Sequence, residues 1–242
     1  MNSVNFRNLG MFKPILVGAT LPGRIIACLG AAIAIGLTIL AGGSFPLAAS
    51  DLPVIAAPIG ASAVLVFAVP ASPLAQPWPV IGGNVISALV GVTTFRLVPD
   101  SAVAASIAVG GAILVMSLLR CLHPPGGAAA LTAVVGGAGV HAAGYSFAFV
   151  TVGLSSIVLI LIAIAFHRAT AHSYPHRAVA MPAVADRMGL HPSDIDAAID
   201  DMHESFDISR EDLDALLTHA ERHAIARLGP ISDRGRTKRK AI

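Results

Sequence analysis

The sequence predicts an all-α, polytopic membrane protein of about six transmembrane or half helices, followed by a short cytoplasmic helical tail. Hydrophobic residues make up 55% of the chain and charged residues 12%, against about 25% charged in soluble domains, and the mean hydropathy is +0.76. Charge is confined to the ends: over residues 25–166 it is carried by Asp51, Arg96, Asp100 and Arg120 alone. Between these, apolar runs are separated by clusters of Pro, Gly and polar residues, the punctuation of turns. The net charge of +2 resides in basic ends, which suits an anionic membrane leaflet and argues against nucleic acid as a partner. Cys28 and Cys121 fall in apolar segments and read as reduced, buried small hydrophobes, not a disulfide framework.

Residues 1–24 carry Arg7, Lys13 and Arg24 and no acid, a basic cytoplasmic N-terminus. The apolar run 25–43 exceeds a signal-peptide core and precedes further spans, so it reads as the first transmembrane helix and not a cleaved leader. Residues 52–69 form a short second segment containing Pro53, Pro58 and Gly60. Pro70, Pro73, Pro77 and Pro79 rule out a continuous helix there and predict a cytoplasmic hairpin. Residues 80–98 resume a span that opens with Gly82, Gly83 and Asn84 and closes near Arg96, with Asp100 placed to pair with Arg96. Residues 102–119 form the fourth span. The apolar, Gly-rich segment 125–140 is barely long enough for the roughly 17 to 25 residues of a span, so it either crosses or re-enters. Crossing brings 145–166 back and leaves His167-Arg168 inside, with both termini cytoplasmic.

Between spans four and five lies LLRCLHPPGGAAAL, residues 118–131, in which Arg, His, two Pro and two Gly interrupt an apolar run. Backbone freed from helical bonding is tolerated at membrane depth only under cover of protein or a watery cavity, which marks a candidate site. The stretch resembles the signature of the HPP family of integral membrane proteins, named for the triplet His123-Pro124-Pro125. The resemblance implies a transporter; plastid and cyanobacterial relatives are associated with nitrite movement, and members are described with four spans.

An internal repeat is legible. AAIAIG at 31–36 matches ASIAVG at 105–110, and PIGASA at 58–63 matches PGGAAA at 125–130, in the same order. This is the pattern of a three-plus-three inverted repeat, unless alanine and glycine recur by chance. Within it, the starts at Pro58, Gly60, Ala61 and Ser62 and at Pro124, Pro125, Gly126, Gly127 and Ala128 would oppose each other. First-turn amides could then replace the hydration of a small inorganic anion, nitrite for instance. The alternative is close helix packing with no ligand. His123 either donates to the anion, takes up a proton for symport, or caps the preceding helix. Arg120 draws anions to the mouth or anchors the interface. Asn84, Ser62, Thr132 and Gln76 line the path or bond helix to helix, and His141 has no assigned role.

The remainder divides into a linker (167–185), an acidic helical tail (186–228) and a basic, disordered end (229–242). Ser193 caps one helix, and Ser209 with Asp212 forms a capping-box pattern before a second. Leu213, Leu216, Leu217, Ala220, Ala224 and Leu228 repeat at helical spacing, a docking face. DISREDLDALL resembles the juncture at which family members continue into paired CBS domains, and the expectation is a chain without them, with no nucleotide regulation implied. His219 and His223 lie one turn apart but lack the order of a zinc motif, so a solvated face is the reading. No P-loop, nucleophile elbow or intramembrane carboxylate pair points to an enzyme, a cofactor or a metal. The expected setting is the bacterial inner membrane, as a homo-oligomer with a dimer favoured. The competing reading is a membrane scaffold or sensor whose tail recruits a partner.

Overall fold

The structure, a computed structural model, describes residues 20–43, 56–177, 192–202 and 206–228. Among them are helices and turns and no strand. Arg7, Lys13, Asp51, Pro53 and the segment 229–242 lie outside the described residues. A first compact unit ends at His176 and a second begins at Arg177.

Four helices of the first unit are long and apolar enough to cross a membrane: α1 (Leu21–Gly43), α3 (Pro77–Leu97), α4 (Ser101–Leu118) and the run Phe147–Ala169. That last run opens in a wide π turn, Phe147–Gly153, and continues as α7 (Leu154–Ala169). The segments expected as spans two and five are α2 (Ala57–Ala68) and α5 (Pro124–Val135), of 12 residues each. At 1.5 Å per residue each is about 18 Å long, well short of a hydrocarbon core of about 30 Å. They are half helices. A short α6 (Ala138–Ala143) links α5 to the π turn.

The starts follow from proline chemistry. Pro58 is the second residue of α2, Pro124 and Pro125 open α5, and Pro77 opens α3. A first-turn amide has no intrahelical partner, so a residue without one costs nothing there. For the same reason Pro77 and Pro79 lie inside α3 instead of interrupting it. The expected Arg96–Asp100 pair is absent. The Asp100 carboxylate accepts from the amides of Ala102 (3.0 Å) and Val103 (2.9 Å), capping α4, while the Arg96 guanidinium lies 4.8 Å from the centre of the Tyr145 ring. Cys121 is buried, but Cys28 is exposed on α1.

The repeat reappears as packing. Pairing Pro58 with Pro125 superposes the buried residues of α2 (Pro58, Ile59, Ser62, Ala63, Val66, Phe67) on those of α5 (Pro125, Gly126, Ala129, Ala130, Ala133, Val134), position by position. Pairing Ala31 with Ala105 does the same for Gly30, Ala34 and Thr38 of α1 and Ala104, Ala108 and Ala112 of α4. A third register pairs α3 with the last span: Val80, Gly83, Asn84, Ser87, Ala88 and Gly91 match Val152, Ser155, Ser156, Leu159, Ile160 and Ala163, all buried. The neighbours exchange in the same way. α1 packs on α2 and α7, as α4 packs on α5 and α3; α2 packs on α7 as α5 does on α3; α2 meets α5, and α3 meets α7. Burial agrees, at 17% and 22% for α1 and α4 against 50% and 56% for α3 and the last span. The outer helices therefore face lipid and the inner ones hold the core.

Between α3 and α5 the backbones touch through glycine. A Cβ on Gly83 would stand 2.6 Å from His123 Cβ, and one on Gly91 would run into the Ala130 carbonyl. Trp78, 56% exposed, donates its indole N–H to the Leu119 carbonyl at 3.2 Å, tying the start of α3 to the end of α4. After α7 the chain folds back on the turn between α2 and α3. The Tyr174 hydroxyl donates to the Ala75 carbonyl (2.8 Å) and the Gln76 side-chain carbonyl accepts from the His176 amide (2.9 Å). Burial pushes the Tyr174 phenol's pKa up, which keeps it a donor.

In the second unit, α8 (Pro192–Met202) and α9 (Arg210–Leu228) are joined by an Arg210–Asp196 ion pair at 2.6 Å. Ser209 Oγ accepts from the Asp212 amide and donates to the Asp212 carboxylate, as the capping pattern predicts. Leu213 and Leu217 line an apolar groove with Ile195 and Ile199, whereas Leu216 points away at 58% exposure. His219 and His223 are exposed, and among the described residues no group of three His, Cys, Asp or Glu is placed to hold a metal.

Candidate functional site

His123 stands in front of α5 in an extended conformation, φ −142° and ψ 108°, because a residue preceding proline is pushed out of the helical region. Its ring is fully buried. Nδ1 lies 2.9 Å from the Leu74 carbonyl, which only accepts, so Nδ1 carries a proton. Nε2 lies 2.8 Å from Ser62 Oγ on α2. Ser62 Oγ is also 3.0 Å from the Pro58 carbonyl and accepts from the Asn84 amide nitrogen on α3 at 3.0 Å. The same nitrogen donates to Ser156 Oγ at 3.3 Å, whose own proton goes to the Val152 carbonyl at 2.8 Å.

The arrangement has two self-consistent proton patterns. With a neutral His123, the single Ser62 proton goes to Nε2 and the Pro58 carbonyl loses it. With a charged His123, Nε2 donates to Ser62 and the Ser62 proton returns to Pro58. The Asn84 side-chain oxygen and Ser87 Oγ are buried without a partner, an arrangement that costs free energy unless a ligand or water serves it. Asn84 and Ser156 are equivalent in the third repeat register and bond each other, so the cluster lies where the two halves exchange. In an inverted repeat that is the middle of the membrane.

Of the predicted residues, the fold brings together His123, Ser62, Asn84 and Pro58. Pro125 and Gly126 are buried beside them, and a Cβ on Gly126 would meet Ser87 Oγ at 2.7 Å. Gly60 and Ala61 are exposed on the opposite side of α2, Pro124 and Ala128 are exposed, and Gly127 is half-buried. Arg120 is exposed in the turn after α4, at φ 54°, outside the bonded cluster. Thr132 bonds the Ala128 carbonyl within α5, and Gln76 ties the α2–α3 turn through the Pro70 and Ser72 carbonyls.

Most of the first-turn amides are not free. Positions one and two of α5 are prolines, and the Gly126 amide donates to the His123 carbonyl at 2.8 Å. In α2, Pro58 has no amide proton and Ile59 donates to the Ala56 carbonyl at 3.0 Å. Donors at this point are therefore side chains.

The far ends of the half helices are also treated alike. His167 Nε2 donates to the Val66 carbonyl of α2 at 3.0 Å, and His141 Nε2 to the Val134 carbonyl of α5 at 3.0 Å. Each ring stacks on a phenylalanine, Phe67 at 5.4 Å and Phe95 at 3.9 Å. Arg24 adds a bond to the Ala68 carbonyl at 2.7 Å. These groups satisfy carbonyls that a helix end leaves open. Sequence reasoning missed Ser156, Ser87 and the two histidine caps; the register that sets Ser156 opposite Asn84 emerges only from burial in the fold.

Residues 18–175 match the family model described as HPP, transmembrane region. Two transmembrane proteins of Dictyostelium discoideum are similar to this chain. One is 39% identical over 131 residues, 52% of this chain and 46% of its own length; the other is 42% identical over 108 residues, 43% and 34% respectively. The chain thus spans less than half the length of these curated relatives. No solved structure matches. With the His-Pro-Pro triplet at the head of a half helix and the family model covering the whole membrane unit, this chain is a multi-pass membrane protein that belongs to the HPP transmembrane-region family.

Proposed function

We propose that the protein is a non-enzymatic transporter or channel for a small inorganic anion, nitrite being the first to test. The observation that carries this is the buried cluster of His123, Ser62, Asn84 and Ser156 at the meeting of two half helices, with unpartnered Asn84 and Ser87 oxygens beside it. Half helices meeting at a polar point are how transporters with repeated halves hold a solute. Because prolines and local backbone bonds take up most of the first-turn amides, recognition falls chiefly to the Asn84 amide, the serine hydroxyls and the His123 ring. A ring that gains a proton together with the anion would couple the two movements. The setting proposed is the bacterial inner membrane, both termini cytoplasmic, as a homodimer.

The test is initial nitrite uptake into proteoliposomes. His123→Ala and Ser62→Ala should each lower it about tenfold or more, the effect of removing one bond of about 1.4 kcal/mol or more at the limiting step. Unchanged rates in vesicles with verified insertion would sink the assignment. The groove of the second unit, with Met202 at 55% and Phe206 at 46% exposure, favours a second reading, a membrane scaffold whose tail recruits a partner. Deleting residues after 185 spares uptake under the first reading and abolishes function under the second.

A further inference from the structure

The main helices of the membrane unit sort into two bodies that cut across the sequence halves. By sequence α3 belongs to the first half, yet it packs chiefly on α4 and α5, while α7, from the second half, packs on α1 and α2. Backbone contact closes the body of α3, α4 and α5. A Cβ on Gly91 would stand 2.8 Å from Ala133 Cβ and one on Gly126 2.9 Å from the Gly83 carbonyl, and the Trp78 indole holds the Leu119 carbonyl. The body of α1, α2 and α7 is closed by bonds to helix-end carbonyls, from Arg24 to Ala68 and from His167 to Val66. Aromatic rings add to it: a Cβ on Gly30 would stand 2.6 Å from the Phe67 ring and 2.7 Å from the Phe166 ring. The π turn packs on α3, and the last span reaches α1 and α2 only as α7. A wide turn inside a span is a place where it bends.

What joins the bodies is different in kind. The side-chain pairs of the central cluster all cross between them: Ser62 of α2 to His123 before α5 at 2.8 Å, and Asn84 of α3 to Ser62 at 3.0 Å and to Ser156 of α7 at 3.3 Å. Both serines also keep an acceptor on their own segment, the Pro58 carbonyl at 3.0 Å and the Val152 carbonyl at 2.8 Å.

We infer that α1, α2 and α7 move as one body against α3, α4 and α5, with the π turn and the α2–α3 turn as hinges, and that the solute passes between them at the cluster. As the bodies part, each serine proton rests on its own carbonyl, and the two N–H donors of the Asn84 amide are released toward the gap. An oxyanion entering there takes the place of the serine oxygens as their acceptor. The division into bodies stands on packing alone; the passage of solute rests on the anion-transport reading.

The experiment is double electron-electron resonance on the full chain in nanodiscs, with Cys28→Ser and Cys121→Ala as background and spin labels on cysteines placed at exposed leucines. Leu40 with Leu161 and Leu97 with Leu131 each lie within one body but in different sequence halves; Leu40 with Leu97 and Leu114 with Leu161 each lie in one sequence half but in different bodies. With nothing added, the two pairs across bodies should give broader distance distributions than the two pairs within a body. Saturating nitrite and, separately, Ser156→Leu, which wedges a side chain into the interface, should move the pairs across bodies by about 5 Å, the scale of one helical turn, and leave the others unmoved. The inference is overturned if the pairs within a body move and those across bodies hold, since the sequence repeats are then the moving units. It is also overturned if all four distributions are equally narrow and hold under both treatments, since the helices then form one block. If Ser156→Leu moves the pairs across bodies and nitrite does not, the division stands and the nitrite reading falls. The comparison of breadths needs no variant of the cluster to fold.

Discussion

α2 and α5 share a length, a buried register and a histidine on their carbonyl ends, and they differ in what stands before them. Ala56 precedes α2 and His123 precedes α5. Ser62 of α2 likewise corresponds to Ala129 of α5, so His123 and Ser62 of the central cluster have no polar counterpart in the other half, whereas Asn84 and Ser156 are counterparts of each other. The difference separates two kinds of requirement. Positions that recur are those a half helix needs in order to exist in lipid: a proline start, small residues on the inner face, and a donor for the carbonyl end. His123 and Ser62, which occur once, are free of that need, and they complete the buried polar cluster that the Asn84–Ser156 pair begins.

This contrast can be broken in four places. The largest effect should come from Gly91→Leu, which drives a side chain into the Ala130 carbonyl at the α3–α5 seam. A cost of at least about 3 kcal/mol is expected, read as loss of the monodisperse peak in size exclusion; a well-behaved variant would deny that the seam is closed. His123→Ala should come next, leaving the Leu74 carbonyl open at a cost of about 1–3 kcal/mol besides its effect on uptake. Placing histidine at Ala56 should not restore what His123→Ala removes, since only the α5 start has Ser62 opposite it.

Third, His167→Ala and His141→Ala should each cost about 1–2 kcal/mol, since each opens one helix-end carbonyl. Thermal unfolding in detergent checks this, and a marked inequality would mean the two caps are not equivalent. The smallest effect should be Gly60→Leu. Nothing lies within 4 Å of a Cβ there, so a change within about 0.5 kcal/mol and unaltered uptake are expected. Loss of uptake would place substrate on the outer face of α2.

Much of the scaffold was legible because it rests on composition and on one repeat. The matches at Ala31 with Ala105 and Pro58 with Pro125 set the correct register for four of the six main helices. The α3 register with the last span was hidden, since Gly83-Asn84 and Ser155-Ser156 share burial but no residue type. Without it Ser156 had no reason to stand beside Asn84. The prolines of 70–79 mark the break between α2 and α3 as expected, but α3 starts at Pro77 and not at residue 80, because proline is excluded from a helix interior and favoured at its start, and only the fold says which applies to Pro77. The same residue type answers the amide question, because Pro124-Pro125 supplies a helix start while deleting its donors. The His167 cap reaches Val66 across 101 positions, a separation no local pattern reports, whereas His141 caps Val134 only 7 positions back.

The bond between Trp78 and Leu119 gives the protein an intrinsic optical gauge. It is the chain's single tryptophan, so all indole emission arises at one spot, where the first turn of α3 meets the turn that leads to His123. Any rearrangement that parts this pair alters the hydration of that indole, and an unlabelled sample would register it as a change in fluorescence colour and lifetime.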